Sequence, residues 1–323
     1  MKIPAELDSW IAQESGPRPA PIRVCMHVLG PARSDVRVMR EATALREAGY
    51  DVSIVDVESE SDRSIEEEVQ GVWLKHIMMS SAFLSTRFER WALLRGAQIL
   101  LRATHLLLRT PADIYHAHDV SGLLPCYIAA RLRRKPLVFD SHELPLNDMS
   151  IRSRWLLALL DFLVARIVPR CTEVITVSPP IAQEMRKRYR IPAVSLIRNV
   201  PTYKDVPRGD RLRQHLGLPA GTRIALYQGG LQHIRSLDKL VHAAPLLDPG
   251  IVIVLMGPGE EAFVSDLQAL IDSLGVNDRV KILPPVPYDV LLAWTASADI
   301  GLIVYSLNTS LNVRWCLPNK FFE

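Results

Sequence analysis

The sequence predicts an α/β protein of two tandem Rossmann-like units, the second incomplete. Three observations predict it. Short apolar runs rich in β-branched residues alternate with segments of helical spacing from residue 22 onward. The strand runs are apolar throughout, as in parallel sheets covered on both faces. The alternation lapses once, in the Pro-, Gly- and charge-rich NVPTYKDVPRGD at 199–210, and then restarts. Residues 1–20 therefore read as a loose leader, 21–200 as the first domain and 201–323 as the second.

The elements follow in order. IRVCMHVL (22–29) is the first strand, and GPARSD the polar loop after it. Val36, Met39, Ala42, Leu45 and Ala48 recur at helical spacing, with Gly49 where a helix end wants it. DVSIVDV (51–57), DIYHAH (113–118), PLVFD (136–140), EVITVS (173–178) and AVSLIRN (193–199) are further strands. Past the linker come strand RIALYQ (223–228), helix Leu237 to Leu247, strand IVIVLM (251–256) and helix Glu261 to Leu274. Strand RVKIL (279–283), helix Val290 to Ser297 and strand DIGLIVY (299–305) complete the series. LPNKFFE places Pro318 in the first turn of a helix, where its missing N–H is harmless. The sequence stops one turn later, which reads as a chain cut inside its second domain.

Composition narrows the function. The 323 residues carry 38 Lys plus Arg against 35 Asp plus Glu, a formal charge of +3. That small excess argues against a nucleic-acid binder. Of the basic residues 30 are Arg and 8 are Lys, and Arg forks suit phosphate and carboxylate ligands. Cys25, Cys126, Cys171 and Cys316 form no CxxC pair and read as reduced thiols of a cytoplasmic protein. The first twenty residues hold no apolar core of signal-peptide length. The longest apolar stretches, WLLALLDFLVARIV and ILLRATHLLL, are interrupted by charge and fall short of the ~20 residues that span a bilayer.

Ligands of open α/β sheets bind beyond the carboxyl ends of the strands, and four segments lie there. Leu29-Gly30-Pro31 follows the first strand, either as a simple turn or as a loop that lets backbone approach an anion. In YQGGLQHIRSL, Gly229 and Gly230 precede Arg235 ahead of a helix, an arrangement suited to a diphosphate; the alternative is a tight turn with a solvated Arg. In HAHD, His116 and His118 point to one face of their strand. With no third ligand at fixed spacing, a sugar hydroxyl is a better partner for them than a metal. Asp119 and Ser121 are N-cap candidates for the helix that follows. His142 and Glu143 end the next strand and face the same cleft. In LPNKFFE, Asn319 and Lys320 meet an anion at a helix start, or Glu323 merely satisfies the helix dipole.

In this order the four segments resemble the retaining glycosyltransferases of family 4, which have the two-Rossmann GT-B fold. The likeness runs from about residue 22 to the end. It is carried by RVMREATALREAGYDVSIVD, DIYHAHDVSGLLPCYIAARLRRKPLVFDSHEL, VITVSPPIAQEMRKRY, IRNVP, YQGGL, ADIGLIVYS and PNKFFE. The resemblance implies a nucleotide-sugar donor in the second domain and an acceptor in the first. It implies catalytic roles for His118, Arg235 and Lys320, with the two cations on the donor diphosphate. Gly30, Gly229, Gly230, Val286, Asn319 and Glu323 would bind the donor: Gly30 near the phosphates, Val286 by its backbone at the base, Glu323 at the ribose. His142 and Glu143 would lie on the acceptor side. Gly230 stands where the family usually has an Arg, and Trp315 where many members have a first Glu. No cofactor and no metal are expected, since cations and a helix N-terminus can stabilise the leaving group.

One further segment bears on partners. AFLSTRFERWALLRGAQILLRATHLLLR sets Arg95, Arg102 and Arg109 seven apart, with Arg87, His105, Trp91 and Leu101 on or beside that face. This reads either as a core helix with a solvated side or as an interfacial helix on anionic lipid at the inner face of the membrane. The acceptor is then a lipid-linked molecule or a glycan. Competing functions are a non-catalytic sugar-nucleotide-binding protein or inactive fragment, and a sugar-nucleotide epimerase of the same fold.

Overall fold

The structure is a computed structural model. It describes residues 20–59, 64–80, 89–147, 151, 153–201, 203–305 and 310–323, with backbone alone at 89–93. The described residues form two compact units. The first holds 20–146, 151–175 and 186–195; the second holds Asn147, 176–185 and 196–323.

In the first unit β1 (Arg23–His27) leads through the loop to α1 (Val36–Glu47) and β2 (Asp51–Ser59). Asp35 caps α1 by accepting from the N–H groups of Arg37 and Val38. A hairpin of β3 (Glu66–Val69) and β4 (Val72–Met79) follows, then α2 (Glu89–Arg109). The chain goes on through β5 (Ile114–His118), α3 (Asp119–Arg133), β6 (Leu137–Ser141) and α4 (Arg154–Ile167); β7 (Glu173–Thr176), α5 (Pro179–Tyr189) and β8 (Ser195–Leu196) follow, each with residues in both units. The strands order as β3-β4-β2-β1-β5-β6-β7-β8. β4–β2, β2–β1, β1–β5 and β5–β6 pair in parallel, and β3–β4 antiparallel. Sequence order reverses between β1 and β5, so the crevice for a ligand opens beyond His27 and His118. Met26, Ile54, Leu74, Tyr115 and Phe139 are fully buried. Each such large side chain contributes about 1.5–3 kcal/mol.

In the second unit α6 (Arg211–Leu216) precedes β9 (Arg223–Gln228), α7 (Leu237–Ala243), β10 (Ile251–Met256) and α8 (Glu261–Ser273). β11 (Val280–Leu283), α9 (Tyr288–Thr295), β12 (Ile300–Gly301) and α10 (Leu311–Trp315) complete it. The sheet is all parallel in the order β11-β10-β9-β12. Its order reverses between β9 and β12. Asp299 pins that edge: it accepts from Ile224 N at 2.7 Å and pairs with Arg213 and Arg208. Leu255, Tyr227, Leu237 and Ile271 centre one face of the core; Val254, Leu212 and Ile224 centre the other.

Several elements differ from the sequence expectation. The β3–β4 hairpin is additional; Gln70 and Gly71 both take positive φ, 54° and 77°, as its tight turn demands. The strand expected at 193–199 pairs only at 195–196, and the one at 299–305 only at 300–301. Pro245 ends α7 early, in a 3-10 turn at Ala244–Leu246. The expected helix after Pro318 is a single 3-10 turn, Asn319–Phe321. The four cysteines are free, Cys25 and Cys126 buried. No helix among the described residues is long and apolar enough to cross a membrane.

Candidate active site

β9 and β10 end in glycines for a packing reason. Gly229 and Gly257 take φ of +136° and +151°, and a Cβ at Gly257 would lie 2.1 Å from the Gly229 carbonyl oxygen. Only glycine permits this approach. It fixes the loop Gly229–Arg235 over the end of β9. The Tyr227 hydroxyl donates to the Gly230 carbonyl at 3.0 Å. A Cβ at Gly229 would sit 2.7 Å from Lys320 Nζ, so that glycine also makes room for the ammonium.

Two cations meet there. Lys320 Nζ donates to the Tyr227 hydroxyl at 3.2 Å and lies 4.3 Å from its ring centroid. Arg235 Cζ is 4.8 Å above the Tyr305 ring, and Lys320 Nζ is 5.9 Å from the same ring. Arg235 Nε is buried with no hydrogen-bond partner among the described residues. Burial, then the neighbouring Arg235 charge, brings the Lys320 ammonium down to about 8. Burial pushes the Tyr227 phenol up to about 12, so it stays a neutral donor. Two like charges held together on aromatic faces form an arrangement that can take up an anion.

Beside the cations a cavity of about 400 Å³ is lined by Gln228, Thr295, Asp299, Gly301, Lys320 and Glu323, among others. Gln228 Nε2 donates to Glu323 Oε2 at 2.8 Å, and its Oε1 accepts from Thr295 Oγ1. Glu323 is thus presented at the cavity wall. Asn319 opens the 3-10 turn carrying Lys320, and its carbonyl accepts from Phe322 N and Glu323 N. Val286 lies between β11 and α9, its side chain half-buried against Leu212, Leu226 and Val254.

The first unit gathers a second set of groups at the β1/β5 switch. His116 and His118 stack with ring centroids 4.4 Å apart, as their spacing in the strand implies. His118 Nδ1 lies 3.1 Å from His142 Nε2 and 3.6 Å from Asp140 Oδ2. Arg37 reaches across from α1 and forks both Asp140 oxygens, its Nη2 at 2.7 and 2.8 Å. Glu41, one turn on, pairs with Arg37 at 3.1 Å and sits 3.9 Å from His116 Nε2. Burial alone would raise Asp140, but hydrogen bonds from His118 and His142 and the Arg37 charge hold it ionised. Burial, with the Asp140 charge, pushes the Glu41 carboxyl up to about 8. Burial lowers His116 and His118, which are therefore neutral. His142 goes the other way: its bond to Asp140 and the Asp119 charge outweigh burial.

Asp119 does not cap its helix. It takes φ +55°, and its carboxylate accepts from His142 N at 2.9 Å instead. Ser121 lies within α3 and is not a cap either. A left-handed Asp held by the group it positions is the kind of strain seen at functional sites. Glu143 is exposed beside His142, and its carbonyl accepts from Ser141 Oγ at 2.6 Å. Gly30 takes φ +122° in the loop after β1, with open space on its Cβ side. On α2, Arg102 donates to the Met78 carbonyl at 2.9 Å, so its charge turns toward β4. Arg87 and the Trp91 side chain lie outside the described residues.

Glu41, His116, His118 and Asp140 place ligand-type atoms within 4.8 Å of one another, as do Asp56, Glu58 and His76. In the first group Arg37 already occupies Asp140 and balances its charge. In the second, His76 Nδ1 lies 2.6 Å from Asp56, which also accepts from Ala32 N. Sequence reasoning missed Arg37, Glu41, Asp140, Tyr227 and Tyr305. The last two fall in the strand runs RIALYQ and DIGLIVY, and Arg37 and Glu41 in the first helix, where nothing in the sequence sets them apart.

Two sheets of Rossmann type, each with polar groups at its switch point, are those of the GT-B glycosyltransferases. Sucrose-phosphate synthase of Thermosynechococcus elongatus superposes with a TM-score of 0.66 at 14% identity, over 87% of this chain and 75% of that one. The HepE protein of Anabaena, solved with UDP-glucose, gives 0.58 at 17% identity, over 87% and 73%. The chain belongs to Glycosyltransferase Family 4, whose model matches residues 35–200. The D-inositol 3-phosphate glycosyltransferase of Salinispora tropica is 27% identical over 350 residues, 96% of this chain and 72% of that protein. That of Xylanimonas cellulosilytica is 34% identical over 102 residues, a match spanning 31% of this chain and 24% of that relative.

Proposed function

We propose that this chain moves a sugar from a nucleoside-diphosphate sugar to an acceptor hydroxyl with retention, in synthesis of cell-envelope material, a polysaccharide or a glycolipid. The observation that carries this reading is the convergence of Arg235 and Lys320 beside Gly229. Cleaving the bond between the sugar and the diphosphate leaves negative charge on the departing phosphate. Two fixed cations stabilise that charge as it develops, without reorganisation. They supply this stabilisation with no metal in the step. Gly230 and the Gly229 loop bring backbone close to the phosphates, Glu323 takes the ribose, Asn319 adds a polar contact, and Val286 meets the base with its backbone.

In the first unit we assign His118, at the end of β5, to the donor sugar. Gly30 lets the loop after β1 come close to the phosphates. His142 and Glu143 face the acceptor. UDP-glucose in the HepE structure supports a nucleotide sugar as donor.

Product analysis tests the reading. The purified chain is incubated with UDP-, GDP- and ADP-sugars, with and without a glycan or lipid-linked acceptor. Release of nucleoside diphosphate with a new α-glycoside from an α-linked donor supports it. An epimerised nucleotide sugar would make the chain an epimerase, and binding without turnover would make it a sugar-nucleotide-binding protein.

A further inference from the structure

α4 turns an apolar face outward. Trp155, Leu159 and Phe162 are 61%, 45% and 55% exposed. They recur at i, i+4 and i+7, so they lie along one side of the helix. Val164 and Ile167 on the other side are buried. The helix therefore has its own core face and a second apolar face with no described residue covering it. Aromatic exposure on this scale marks a contact surface.

The unpaired charges of the described residues beside that face are cationic. Arg154 precedes it and Arg166 and Arg170 follow it. The Arg166 guanidinium lies 5.0 Å from the Phe162 ring centroid. The one acid of the helix, Asp161, is already taken by Arg188 at 2.6 Å. Past the C-terminus of α4, Arg170 joins Arg131, Arg134, Lys135 and Tyr127 around a cavity of about 550 Å³ whose lining holds no carboxylate. Lys135 is held by Asp113 at 3.0 Å. Arg131, Arg134, Arg166 and Arg170 make no ion pair among the described residues.

The geometry points to a docking surface for an anionic lipid bilayer: Trp155, Leu159 and Phe162 enter the headgroup boundary, and the arginine-lined cavity beyond them takes a lipid phosphate. Apolar side chains flanked by cations are what an interfacial helix needs. At 14 residues α4 is about 21 Å long, so it lies in the plane of the interface instead of spanning it. The surface does not depend on sugar transfer, and its test needs no donor.

The test is co-sedimentation of the whole chain with vesicles of phosphatidylcholine, and of phosphatidylcholine mixed with phosphatidylglycerol. Binding to the anionic vesicles is expected to be at least about tenfold tighter and to weaken with salt. Trp155→Ala with Phe162→Ala lowers binding to both vesicles. Arg131→Glu with Arg134→Glu removes the anionic preference, and keeps the test sharp should the aromatic variant fold poorly. Equal binding to both vesicle types overturns the inference. So does a dimer in sedimentation velocity that Phe162→Asp dissolves, which would make this face an interface between copies.

Discussion

The ammonium of Lys320 lies 4.3 Å from the ring centroid of Tyr227 and donates to that ring's hydroxyl at 3.2 Å. The same hydroxyl donates to the Gly230 carbonyl. One aromatic residue at the end of β9 thus holds both a cation and the glycine loop. Tyr227→Phe keeps the ring and removes both bonds. It is expected to weaken nucleoside-diphosphate binding by roughly three- to tenfold, about the worth of one hydrogen bond, as measured by calorimetry.

Lys320 gives the site a pH dependence with a definite sign. Its ammonium titrates at about 8 in the free chain, and a bound diphosphate raises that value. Affinity is therefore flat below pH 7 and falls above pH 8, by up to about tenfold per pH unit. Lys320→Arg keeps its charge through this range and should bind with a flat profile. Titrations at about pH 6.5, 8 and 9.5 compare the two.

Arg37 pairs with a carboxylate that is fully buried, so Arg37→Ala leaves Asp140 without its guanidinium partner. Breaking a buried pair this way destabilises by about 3–5 kcal/mol. Urea unfolding of the variant should show a midpoint well below that of the parent. Asp140→Asn with Arg37→Met removes both charges and should recover much of the loss.

Glu41 titrates at about 8 in the folded chain against 4.5 as its ordinary value. A folded value above the unfolded one means stability that is present at low pH and lost as pH rises toward 8. Glu41→Gln mimics the neutral form and carries no such dependence. The variant should therefore gain stability relative to the parent between about pH 5 and 8, which chemical denaturation across that range measures.

Gly257→Ala forces a Cβ to within 2.1 Å of the Gly229 carbonyl at a positive φ. The Gly229 loop must shift, and with it the room for Lys320. Destabilisation of more than about 1 kcal/mol is expected, together with weaker diphosphate binding.

Much of this fold is legible in the sequence because fully buried strands write uninterrupted apolar runs. RIALYQ and IVIVLM are β9 and β10 residue for residue. The β3–β4 hairpin is hidden because Glu66–Glu68, Lys75 and His76 break the apolar pattern at a sheet edge. DIGLIVY reads as seven residues of strand, yet only Ile300 and Gly301 pair with β9; local β propensity does not say where a partner ends. Of the site, Gly229 and Arg235 are visible as a glycine and a cation in the loop after a strand, and Lys320 and Glu323 as the charged residues of LPNKFFE. Asp140 and Arg37 are not, because 103 residues separate them and each looks ordinary in its own element. Tyr227 and Tyr305 gain their role only from the cations above them.

The central claim is that Arg235 and Lys320 form the diphosphate receptor. Isothermal titration of the purified chain with UDP, GDP and ADP tests it most directly, beside Arg235→Ala with Lys320→Ala. At least one of the three is expected to bind, with a loss of about 100-fold or more in the double variant. Absence of binding, or equal affinity in the double variant, would contradict it.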